Sequence, residues 1–286
     1  MDRFEVTKRV GLLGVFGNVF LFIIKIIVGL ATNSQSMIAD AINSAGDIFA
    51  SFMTTIGNKI SSIPNDDDHN FGHGKAEYIF SLFISISIIL LSLKIFYDSI
   101  KSIIIGSHLN FSFYLIVVGL ITILMKFLLF LYARSKYKAS DNILIYSSMI
   151  DHRNDCLITL FAMISIVFSY FGIYFVDGIV GIGISVWIIR TGLLLFIDSY
   201  KVLMDTSIDN DTKNEIIKMI SYEKDVLEVR EFYSIPTGYK YVVVVTIDVS
   251  GKISTKKSHQ IADNIELKIK KYFEKIDHII VHVHPV

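Results

Sequence analysis

The sequence holds one cysteine, Cys156, three prolines, and no excess of either charge, with 27 Lys and Arg against 27 Asp and Glu in 286 residues. A lone cysteine cannot close an intramolecular disulfide or build a thiolate cluster. That excludes a disulfide-stapled extracellular module and fits a soluble part exposed to the cytosol. Balanced charge removes the basic surface that nucleic acid requires, and the aromatic residues lie within apolar runs rather than between Lys and Arg. Pro64, Pro236 and Pro285 all fall outside the long apolar runs, which leaves those runs free to be unbroken helices. What the chain does have is apolar: 52% hydrophobic residues against 19% charged. The excess is uneven, concentrated between positions 10 and 200, whereas 206–286 alternates charge with short apolar stretches. This profile predicts a transmembrane domain over 1–205 and a small soluble domain over 206–286.

Crossing a hydrocarbon core takes about 20 apolar residues. Six runs reach that length, near 10–31, 35–59, 77–103, 111–133, 144–169 and 173–200. The opening MDRFEVTKRV is too charged, and the run after it too long, for a cleaved signal peptide, so the first span should be retained. Among the short connections, Arg3, Lys8, Arg9, Lys59, Lys75, Arg134, Lys136 and Lys138 fall on one side and Lys101 on the other. The basic side is cytoplasmic by the positive-inside rule, and an even number of spans puts both termini there. The tail reads as α-β-β-α-β: a helix capped by Asp209 or Asn210, strands LEVREFYSI and YKYVVVVTIDV around a Pro236-Thr237-Gly238 turn, a helix over 254–275, and the strand DHIIVHVH. The expected fold class is therefore a six-helix all-α membrane domain plus a small cytoplasmic α+β domain.

Ionisable groups inside membrane helices are costly and mark functional sites by default. The second span places Asn43 and Asp47 four residues apart, on one helical face, and the fifth places Asp151 and Asp155 at the same spacing. Two such pairs can close four oxygen-bearing side chains around one cation; the bland alternative is helix capping at the membrane interface. An all-oxygen set without imidazole or thiolate ranks Mn²⁺ first and Fe²⁺ next, since Zn²⁺ usually takes His or Cys. Three clustered carboxylates cannot all stay ionised without a cation, so protons should replace a departing metal. His152 and Arg153 adjoin the second pair but point away from its face, toward packing or the cytoplasmic end. Cys156 reads as a small buried group, and Asn18 and Lys25 as candidates to line a path. Lys94, Lys126, Asp177 and Arg190 are further intrusions, some of which can snorkel. Gly178, Gly181 and Gly183 read as close-packing positions.

The strings GNVFLFIIKIIVGL, SMIADAINSAGDIFAS, PNDDDHNFGHGKAEYIFSL, DHRNDCLITL and SHQIADNIELKIKK leading to VHVHP resemble the cation diffusion facilitator family over essentially the whole chain. The Asn-x-x-x-Asp pair joined to Asp-x-x-x-Asp looks like its manganese-efflux branch. The resemblance implies a six-helix homodimer that exports divalent metal from the cytoplasm, usually against protons, by alternating access. It maps the transport quartet onto Asn43, Asp47, Asp151 and Asp155, and a loop metal site onto Asp66, His69 and His73. The alternative for the loop is a solvated acidic segment whose histidines only hydrogen-bond. It also maps a site in the dimerisation and regulatory tail onto His259, His282 and His284, where two further ligand positions hold the poor ligands Arg230 and Thr246. A charge interlock falls on Lys75 and Asp205.

The reading is then a multi-pass protein of the plasma or inner membrane, not an enzyme and without a prosthetic group, that exchanges Mn²⁺ for protons. Its alternatives are Fe²⁺ or Zn²⁺ export by the same fold, a membrane metal-dependent hydrolase, for which no nucleophile or acid/base motif is present, and a metal sensor.

Overall fold

In this computed structural model residues 3–31, 35–105, 113–170 and 175–286 are described. Within the helices, the side chains at 35–40, 42, 43, 105, 115, 162, 165–167, 169, 170, 175–177 and 180 lie outside that description, so Asn43 is placed by its backbone alone. Six long helices come first: α1 (Arg3–Ala31), α2 (Gln35–Ser61), α3 (Ala76–Ile105), α4 (Phe113–Ser140), α5 (Ile143–Tyr170) and α6 (Phe175–Leu203). At 1.5 Å per residue each runs about 40–45 Å, longer than the roughly 30 Å hydrocarbon layer. The surplus accounts for the two ends that outrun the apolar runs. α1 begins inside the charged opening segment, and α4 continues through Arg134, Lys136 and Lys138, where side chains can stand in water.

Among the described residues four helices, α1, α3, α4 and α6, are long and apolar enough to cross a membrane. The other two fall short because part of their length is polar: Ser44, Asp47, Ser51, Thr54 and Asn58 in α2, and Ser147, Ser148, Asp151, His152, Asn154 and Asp155 in α5, all buried. Such residues persist in a bilayer only where neighbouring helices cover them. α2 packs on α1, α3 and α5, and α5 packs on α1, α2, α3 and α4. Apolar side chains face outward instead, Phe16, Phe83, Leu124 and Leu194 among them. Gly178 and Gly181 press α6 against Ile103 and Ser99 of α3, as the close-packing reading expects, but a Cβ at Gly183 would meet nothing within 4 Å among the described residues, so no close packing is seen there.

The chain divides into two compact units, Met1–Ser62 with Ala76–Ser199, and Ile63–Lys75 with Tyr200–Val286. The second unit contains α7 (Asn210–Ser221), β1 (Val226–Pro236), β2 (Tyr241–Val249), α8 (Thr255–Tyr272) and β3 (Ile276–Pro285). Asp209 Oδ1 caps α7 by accepting from the Thr212 N–H at 2.9 Å, and Ser254 caps α8. β2 is the central strand, antiparallel to β1 and parallel to β3, with Val245 opposite Val281 and Thr246 opposite His282. A parallel pair needs a crossover, which α8 supplies. Its Ile261, Ile265 and Ile269, four residues apart, lie with Ile216 and Ile220 of α7 against Val243, Val245 and Ile247 of β2. Gly238, at φ +129°, turns β1 into β2 so closely against Gly74 of the 63–75 loop that a Cβ there would sit 2.7 Å from the Gly74 carbonyl carbon.

Candidate metal centre

The cluster is assembled by helix approach. Gly14 of α1 has no Cβ because one would lie 2.8 Å from Ser51 Oγ of α2 and 3.7 Å from His152 Nε2 of α5. With α1 that close, Asn18 turns its amide onto α2, donating to the Asp47 carbonyl at 3.0 Å and to Ser51 Oγ at 2.9 Å. Lys25, two further turns along the same face and also buried, donates to Ser44 Oγ at 3.0 Å. α2 and α5 are joined directly by the Thr54–Ser148 hydroxyl pair at 2.9 Å.

Between these helices lie Asp47, Asp151 and Asp155, all buried. The side chains of Asp47 and Asp155 are 8% exposed. Their Oδ2 atoms, from α2 and α5 respectively, accept from one donor, the ammonium of Lys126 in α4, at 2.8 and 2.5 Å. Asp151 and Asp155 group with His152, each offering a ligand atom within 4.8 Å of the others. Desolvating three carboxylates in a membrane interior requires a compensating cation, and Lys126 supplies one charge. The cluster holds hard oxygens from two helices, one imidazole and one ammonium, a donor set of the kind that suits a small divalent cation.

Three residues depart from the expectation drawn from sequence, the first being Cys156, which is partly exposed rather than buried. Lys126 does not snorkel: its side chain is 1% exposed, because two carboxylates hold it inside. His152 is buried and grouped with the Asp pair rather than pointing away from it, since it stands three residues before Asp155 on α5, and its Nδ1 has no hydrogen-bond partner among the described residues. Arg153 does point away, its guanidinium 4.5 Å over the Trp187 ring of α6. Asn43, the fourth member of the expected quartet, lies on α2 with its side chain outside the described residues.

In the second unit, Asp66, His69 and His73 form the other such grouping among the described residues. Asp66 Oδ1 accepts from the His69 N–H at 2.6 Å and faces His69 Nδ1 at 3.1 Å, and the two imidazole centroids are 4.2 Å apart. The backbone hydrogen bond from His69 holds the Asp66 carboxyl below the ordinary carboxylate range. Lys75 Nζ lies 2.6 Å from Asp205 Oδ1, both partly exposed. His259, His282 and His284 do not form such a grouping within this chain. His259 stands on α8 beside Asp263, at 3.2 Å, while His282 and His284 lie on β3 opposite Thr246 and Asp248. Arg230 of β1 donates to Asp248 Oδ2 of the central strand at 3.0 Å, so the residue opposite His284 is engaged in an ion pair.

Known proteins align with both parts of the chain. Residues 11–204 match the family model of the cation efflux transmembrane domain, and residues 208–286 that of the cation efflux protein cytoplasmic domain. The chain is 26% identical over 291 residues to the manganese efflux system protein MneP of Bacillus subtilis, covering 99% of this chain and 98% of that protein. It is 24% identical to the cation-efflux pump FieF of Shewanella oneidensis, over 93% of this chain and 90% of that one. It is also 26% identical to the magnetosome protein MamB of Magnetospira sp., over 91% and 89%. A solved structure, MamM-CTD 215-293, aligns at 14% identity and a TM-score of 0.26 over 27% of this chain and 96% of that one.

Proposed function

The chain belongs to the cation efflux family, whose members are transporters and not enzymes, and from that premise we propose that it exports Mn²⁺ from the cytoplasm in exchange for protons by alternating access. Asn43, Asp47, Asp151 and Asp155 are the transport site. The chain works as a homodimer in the plasma or inner membrane with both termini cytoplasmic. The observation that carries this reading is the convergence of carboxylates from α2 and α5 on a single cationic group in a covered interior. Mn²⁺ leads because the carboxylate donors are hard, and because a relative named for manganese efflux aligns over nearly the whole chain. Asp66, His69 and His73 form a secondary cytoplasmic metal site; Lys75 and Asp205 fix the join between loop and tail.

A second reading, Fe²⁺ or Zn²⁺ as cargo, is favoured by the burial of His152 beside Asp151 and Asp155, since an imidazole donor suits those ions. Metal-stimulated proton flux in proteoliposomes of the full chain separates the two, with Mn²⁺, Fe²⁺, Zn²⁺, Mg²⁺ and Ca²⁺ compared. Mn²⁺ should drive the largest flux, and Asp47→Ala and Asp155→Ala should each abolish it. Zn²⁺ flux equal to that of Mn²⁺, lost in His152→Phe, would transfer the assignment to the second reading. Flux that survives both Asp substitutions would end the assignment of the site.

A further inference from the structure

Lys126 holds the two oxygens that a divalent ion bridging α2 and α5 would use. We infer that Lys126 is a tethered cation that competes with the transported metal for Asp47 and Asp155. The inference rests on the transport-site reading above.

Three features of the geometry carry it. The ammonium is shared between carboxylates on two different helices, so it sits at the crossing point rather than beside one ligand. It has no outlet to water, its side chain being 1% exposed, so the carboxylates hold its charge. It stands on a third helix, α4, at the end of a flexible four-carbon stem, so its charge reaches the carboxylates from outside the two helices that carry them. A metal and an ammonium cannot both lie against the same two oxygens, because like charges at a few Å repel strongly in a covered interior. Metal entry therefore displaces the ammonium, and metal departure lets it return. The apparent affinity for metal is lowered by the fraction of molecules in which the ammonium holds the carboxylates. The returning ammonium also replaces one of the charges that protons would otherwise have to supply on the empty return step.

The test is Mn²⁺ binding to the purified full chain in detergent, by calorimetry, for wild type, Lys126→Gln, Lys126→Arg and Asp47→Ala. Removing the competing charge should tighten Mn²⁺ binding by about tenfold or more in Lys126→Gln, whereas Lys126→Arg should stay near wild type. Because Lys126→Gln leaves buried carboxylates without their partner, its metal-free form should melt earlier than wild type. Saturating Mn²⁺ should then raise its melting temperature by more than it raises that of wild type. Equal or weaker binding by Lys126→Gln, or no greater Mn²⁺ stabilisation in melting, would overturn the inference. Wild-type binding by Asp47→Ala would instead overturn the transport-site assignment, which makes the two failures distinguishable.

Discussion

Arg3 and Glu77 meet fork to fork: Nη1 and Nη2 each donate to one carboxylate oxygen at 2.8 Å. Asn142 adds a third hydrogen bond at 3.0 Å, so α1, α3 and the start of α5 are tied through one carboxylate that is 1% exposed. Removing one partner of such a buried pair strands the other, at a cost of about 3–5 kcal/mol. Glu77→Ala should therefore lower unfolding free energy by that order, read from denaturant midpoints in detergent. Arg9→Ala, which breaks only the exposed pair with Glu5, should cost less than about 1 kcal/mol. Equal effects of the two would show that the buried fork contributes nothing special. The Arg3–Glu77 pair was illegible in sequence, where Glu77 stood only as a letter of FGHGKAE and its partner lies 74 positions away. Lys126 was visible as an intrusion but not as a site residue, for the same reason: its partners Asp47 and Asp155 lie 79 and 29 positions away. Asp47, Asp151 and Asp155 were legible because costly groups recurred at helical spacing on two spans.

At the scale of the element, α8 shows how far periodicity reaches. Its Ile261, Ile265 and Ile269 repeat every four residues and are buried, while Leu267, between them in sequence, is 70% exposed. Ile265→Ala should cost about 2–5 kcal/mol in the stability of the second unit. Leu267→Ala should fall within about 0.5 kcal/mol of wild type. Comparable losses would mean that the stripe is not what holds the helix. The turn that leads into β2 is fastened to the start of β3 by Lys240 Nζ, 2.6 Å from Asp277 Oδ1. That hydrogen bond lowers the Asp277 pKa below the ordinary 3.8 and raises that of Lys240 above 10.5. His278 Nδ1 faces the other Asp277 oxygen at 2.9 Å. For the depressed carboxyl, the contribution is present above its unfolded pKa and fades as pH falls through the lower folded value. For the raised amine, it is complete below its unfolded pKa and fades as pH rises through the higher folded value. The stability gap between wild type and Lys240→Met should hence be constant from about pH 5 to about pH 9 and shrink on either side. A gap unchanged at about pH 2 would contradict the assignment. The caps, the stripe and the turn were all readable locally; the parallel pairing of β2 with β3 was not, because the order α-β-β-α-β does not say which edge the last strand takes.

For the whole molecule, composition puts the change from apolar to mixed sequence near residue 205, whereas the compact units divide after Ser62, Lys75 and Ser199. It could not reveal that 63–75, an acidic connection between two helices, groups with the tail, since that grouping depends on contacts such as Gly74 against Thr237 and Phe71 edge-on to His278. A fragment spanning 200–286 should accept a synthetic 63–75 peptide. The amide resonances of Asp205, Thr237, Gly238 and His278 should shift while those of α8 remain still. No shift at any of them would show that the loop adds nothing to this unit. The same discontinuity sets an order in time. The loop leaves the ribosome long before its partner residues exist, with Lys75 and Asp205 separated by 130 positions. Pairings between such distant segments carry a large loop-closure cost and form late. The loop must wait, solvated and uncommitted, through the synthesis of four more helices. Its run of Asp66, Asp67 and Asp68 keeps it soluble during that wait, so the acidic stretch that reads as a binding motif is also suited to delay.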